Sequence, residues 1–75
     1  MEYIVDTQEL QKAMIDKGIR TYVELSEKTG VNRNTIAGIV KGETKPSTAV
    51  VEKIGAALDL DSEQVGRIFF KLKLA

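Results

Sequence analysis

Residues 22–42 read YVELSEKTGVNRNTIAGIVKG, and this stretch decides the fold. Thr21 before it is a good helix N-cap, and Glu24 three positions later completes a capping-box signature. Tyr22, Leu25, Ser26 and Thr29 then share one stripe at helical spacing, small at Ser26. Gly30 enters the left-handed backbone region without steric cost, so it stops this helix and turns the chain. Val31, apolar inside the turn, is read as a plug that fixes the angle between two helices. Asn32 caps the second of them. There Ile36, Ile39 and Val40 form a buried stripe, while Arg33, Asn34, Ala37, Gly38 and Lys41 cluster on the opposite side.

The outward face suits the edges of base pairs. Arginine donates two parallel hydrogen bonds to guanine, asparagine pairs with adenine, and an alanine methyl meets the thymine methyl. Arg33 and Asn34 occupy the first turn, the part of a recognition helix that contacts base edges. Gly38 costs about 1 kcal/mol in a helix relative to alanine, so something is expected to come close there: a nucleic-acid backbone, a base edge or a packed helix. Singly, Arg33 and Asn34 are ordinary surface residues. Caps, turn glycine, plug and two-faced helix together make the case for DNA reading.

On Glu24-Leu25, Lys28-x-Gly30-Val31, Asn32-Arg33-Asn34-Thr35-Ile36, Ile39, Gly42, Lys45-Pro46-Ser47, Ile54 and Ala57-Leu58-Asp59-Leu60, the chain resembles the phage Cro and repressor family of helix-turn-helix proteins, also called the XRE family. The likeness spans roughly residues 7 to 70. It implies an all-α, compact five-helix, lambda-repressor-like domain with the helix-turn-helix at helices 2 and 3. Such a domain binds operator DNA, usually as a symmetric dimer. By position, the family's base-reading sites fall on Arg33, Asn34 and Gly38, with Ala37 joining them from the residue reading. Its backbone contacts fall on Tyr22, Asn32, Lys41, Thr44 and Lys45, and Thr35 is placed in the same set. Tyr22 stands where the family often has glutamine, which leaves a phosphate contact to Thr21 or to the tyrosine hydroxyl. Gly38 offers no side chain, so that position is empty or reads backbone shape only.

Composition bounds the function. Seventy-five residues make a single domain, 1–75, with residues 1–5 as an N-terminal arm and 71–75 as a C-terminal tail. The absence of cysteine and histidine removes disulfides, thiolate metal sites and the commonest general base. No metal, cofactor or enzymatic activity is expected. Asp59, Asp61 and Glu63 lie at a helix start, where carboxylates serve as caps and dipole partners. No apolar run reaches membrane-span length and no signal peptide pattern appears, so a cytoplasmic protein is expected.

Charge speaks against DNA at first sight, because eleven basic residues balance eleven acidic ones and DNA-binding domains tend to be basic. The distribution softens this. Residues 1–16 carry Glu2, Asp6, Glu9 and Asp16 against Lys12, a net of −3. Residues 17–45 carry Lys17, Arg20, Lys28, Arg33, Lys41 and Lys45 against Glu24, Glu27 and Glu43, a net of +3. The positive excess lies on the segment expected to face DNA.

The remaining helices follow from caps and stripes. Asp6 or Thr7 starts a first helix running to about Lys17, with Leu10, Ala13 and Met14 inward and Gly18 as its stop. Ser47 caps a fourth helix with Val50, Val51, Ile54, Ala57 and Leu58 on its apolar stripe. Asp61 or Ser62 starts a fifth with Val65, Ile68, Phe69 and Leu72 inward. Phe69, Phe70, Leu72 and Leu74 are more apolar side chains than one small core accepts, so this end is a candidate dimer interface. Alternatively, Phe70 covers the core edge. Lys71-Leu72-Lys73-Leu74 also alternates like a strand and could pair with Tyr3-Ile4-Val5, within one chain or across a dimer.

The expected function is a phage-type, Cro/repressor-like regulator that reads a near-palindromic operator in double-stranded DNA as a homodimer. The alternative is a modulator that acts by contact with a repressor or toxin, as antirepressors and antitoxins do. Neutral charge, Gly38 and the C-terminal phenylalanines favour that alternative.

Overall fold

A computed structural model describes residues 2–73. Leu74, one of the candidate interface residues, lies outside the described residues. The order is β1 (Tyr3–Ile4), α1 (Thr7–Asp16), α2 (Tyr22–Thr29), α3 (Arg33–Val40), α4 (Thr48–Ala57), α5 (Ser62–Phe69) and β2 (Lys71–Leu72). Five helices make the fold, as the sequence predicts, and a two-stranded antiparallel ribbon ties its ends together. Tyr3 pairs with Leu72 and Ile4 with Lys71, within one chain.

Each helix begins where a side chain satisfies its free N–H groups. The caps are Asp6, Thr21, Asn32, Ser47 and Asp61. Among the described residues, a full capping box closes only at α5. There the Gln64 N–H donates to Asp61 Oδ1 at 2.8 Å and the Asp61 N–H donates to Gln64 Oε1 at 3.0 Å. At α2 the box expected of Thr21 and Glu24 is half made. The Glu24 N–H donates to Thr21 Oγ1 at 3.1 Å, but the Glu24 carboxylate accepts from the Thr21 hydroxyl at 3.3 Å.

α2 packs on α3 and α4, and α1 packs on α3 and α5. Leu10 and Met14 of α1, Leu25 of α2, Ile36, Ile39 and Val40 of α3, Val51 and Ile54 of α4, and Ile68 and Phe69 of α5 meet in one core. Val31 joins them from the turn and Ile19 from the α1–α2 loop. Burying a side chain such as Ile36 contributes about 1.5–3 kcal/mol, so α3 is held along its length.

Two expectations for the C-terminus change. Phe69 is a core residue, only 4% exposed, because α5 turns its Ile68–Phe69 edge onto α1; it is not available as an interface residue. Leu72 is not on the inner face of α5, since the helix ends at Phe69 and Leu72 lies exposed on β2. Pairing with β1 decided between two periodicities that the sequence allowed. Among the described residues, no helix is long and apolar enough to cross a membrane.

Candidate nucleic-acid interface

The turn between α2 and α3 is fixed by three side-chain links. Gly30 adopts φ 73° and closes α2, its N–H donating to the Ser26 carbonyl at 2.8 Å. The Ser26 hydroxyl donates to the Val31 carbonyl at 2.5 Å. The Thr29 hydroxyl donates back to the Leu25 carbonyl at 2.8 Å and accepts the Val31 N–H at 3.2 Å. Val31, 8% exposed, plugs the core as its position predicts. The roles of Ser26 and Thr29 were not read from the sequence. Their signal is general: serine and threonine near a helix end bond to nearby backbone groups.

α3 then presents its first turn to solvent. Arg33 and Asn34 are exposed side by side, Thr35 and Ala37 are half-buried, and Lys41 is exposed at the far end. Among the described residues, neither Arg33 nor Lys41 has an ion-pair partner within 4.0 Å. Asn32 uses its side-chain oxygen to accept the Asn34 N–H at 2.8 Å; its amide NH2 keeps two donors for an external acceptor. Thr21 is exposed at the start of α2, and the Tyr22 ring is half-buried against the core.

Gly38, expected at a base-reading position, is half-buried. The chain's own loop approaches it. Glu43 and Thr44 both donate backbone N–H groups to the Gly38 carbonyl, at 2.8 and 3.2 Å. A Cβ built on Gly38 would collide with the Thr44 hydroxyl and stand 3.1 Å from Thr44 Cβ. The glycine therefore lets the α3–α4 loop lie against the helix without a clash. The exposed Thr44 side chain occupies that part of the surface.

Lys45 is exposed on the same loop, with its ammonium 3.9 Å from Glu2 Oε1. Arg33, Asn34, Ala37, Lys41, Thr44 and Lys45 thus come from one helix and the loop folded against it. Among the described residues, no cluster of acidic side chains is positioned to hold a metal ion.

A rigid helix with a polar outer face, set by a short glycine turn on a preceding helix, defines the helix-turn-helix class. Residues 9–65 match the Cro/C1-type HTH DNA-binding domain, and the chain belongs to that family. The fold is similar to that of the restriction-modification controller protein C.AhdI from Aeromonas hydrophila. That match has a TM-score of 0.70 and 24% identity, and covers 79% of this chain and 88% of the other. Comparison with curated proteins gives no match.

Proposed function

We propose that this protein is a transcriptional regulator that reads double-stranded operator DNA through α3. One observation carries the reading: Arg33 and Asn34 are exposed together on the first turn of a helix whose opposite face, Ile36 and Ile39, is fully buried. Arg33, Asn34 and Ala37 are assigned to base edges. Thr21, Tyr22, Asn32, Thr35, Lys41, Thr44 and Lys45 are assigned to the backbone. The Cro/C1-type family and the likeness to a controller protein support the assignment.

A homodimer on a near-palindromic site fits the class, with two recognition helices about 34 Å apart, one DNA turn. Tyr3, Phe70 and Leu72 support self-association. They are 49%, 50% and 39% exposed, and the Tyr3 and Phe70 rings meet edge to face with centroids 6.0 Å apart. The rival, a modulator acting only on another protein, loses one of its supports because Thr44 accounts for Gly38.

Titration of a fluorescent duplex with the pure protein tests the reading. Affinity should fall steeply between about 50 and 200 mM salt. A protein that leaves the duplex free at the lower salt contradicts it.

A further inference from the structure

The terminal ribbon reaches the DNA-facing loop at one point. The Lys73 N–H donates to the Glu2 carbonyl at 2.8 Å, which holds Glu2 alongside the end of β2. The Glu2 carboxylate then has a lysine on each oxygen. Lys45 Nζ lies 3.9 Å from Oε1 and Lys73 Nζ lies 4.0 Å from Oε2. All three side chains are more than half exposed. Lys71, the ribbon's other lysine, is used differently: its ammonium is 3.4 Å from Asp6 Oδ2, and Asp6 Oδ1 caps α1.

We infer that Lys45 and Lys73 form a two-lysine seat for a DNA phosphate, and that Glu2 occupies this seat in the free protein. A carboxylate and a phosphodiester each present two anionic oxygens on one centre, so two ammonium groups placed around one suit the other. The pairs are long and solvent-exposed, and such pairs hold weakly. A phosphate of the duplex displaces Glu2 without disturbing the fold, because the backbone link to Lys73 does not involve the carboxylate. The ribbon thereby extends the backbone contact beyond the helix-turn-helix, and Glu2 lowers affinity for every sequence alike. The inference rests on the DNA-binding reading above and adds Lys73 and Glu2 to it.

The test compares wild type, Glu2→Gln, Lys73→Ala and the double variant by anisotropy on one random-sequence duplex of about two helical turns. Circular dichroism confirms that each is folded. Glu2→Gln should bind about two- to fivefold tighter at low salt, with a similar salt slope because the same phosphate is contacted. Lys73→Ala in the Glu2→Gln background should reverse that gain. Wild type that binds while Glu2→Gln leaves the affinity unchanged overturns the seat and leaves the proposed function standing. Lys73→Ala without effect in the Glu2→Gln background overturns the role of Lys73. Wild type that does not bind at low salt overturns both readings together.

Discussion

The Thr44 side chain lies over the Gly38 backbone, in the space that a Cβ at residue 38 would need. α3 and the loop after it are therefore one packed unit. Gly38→Ala should gain about 1 kcal/mol of helix propensity and lose about 1–3 kcal/mol to overpacking. The expected net is a destabilisation of about 1 kcal/mol, read as a lower urea midpoint. Adding Thr44→Gly should recover part of the loss. A Gly38→Ala protein more stable than wild type would show that the loop yields freely.

The turn rests on a hydroxyl. Ser26→Ala removes the donor to the Val31 carbonyl, a partly buried bond worth about 1 kcal/mol. Stability should fall by about that amount, and duplex binding should weaken further because α3 is less firmly aimed. Unchanged chemical-denaturation and binding curves would remove Ser26 from the account.

Folding and the proposed DNA reading should be separable on α3. Ile36→Asp places a charge in the fully buried core and should abolish folding, visible as lost helical circular dichroism. Arg33→Ala should keep the wild-type melt and lose about 1–3 kcal/mol of discrimination at one base position. A folded Arg33→Ala protein with unchanged sequence preference would refute the reader assigned here.

Asp59 follows α4 with φ 57°, the single non-glycine positive φ among the described residues, and its carboxylate pairs with Lys17 Nζ at 3.1 Å. Asparagine also tolerates this region, so Asp59→Asn should stay within about 0.5 kcal/mol of wild type, the exposed pair contributing little. Asp59→Val should cost about 1–2 kcal/mol. Equal midpoints for the two variants would contradict a backbone role for this position.

Much of this was legible from residues close in sequence. Asp6, Ser47 and Asn32 cap helices because their oxygens reach N–H groups two or three residues on. Gly30 and Val31 set the turn for equally local reasons. The Asp61–Gln64 box carries the same spacing signal as Thr21–Glu24. What the sequence hid depends on distant segments. Gly38 marks a close approach in the sequence, but that the approaching group is Thr44 depends on where the loop folds. Leu72 fitted a helix or a strand, and only β1 settled which. Phe69 and Phe70 are adjacent, yet Phe69 ends α5 inside the core while Phe70, the residue after the helix at φ −127°, stands outside. Nothing local links Glu2 to Lys45.

Selection from a pool of random duplexes with the wild-type protein, at stated salt, tests the central claim most directly. The account predicts enrichment of an inverted repeat whose half-sites are centred about 10 base pairs apart. A pool that emerges unenriched, or that the protein fails to retain even at low ionic strength, would contradict it.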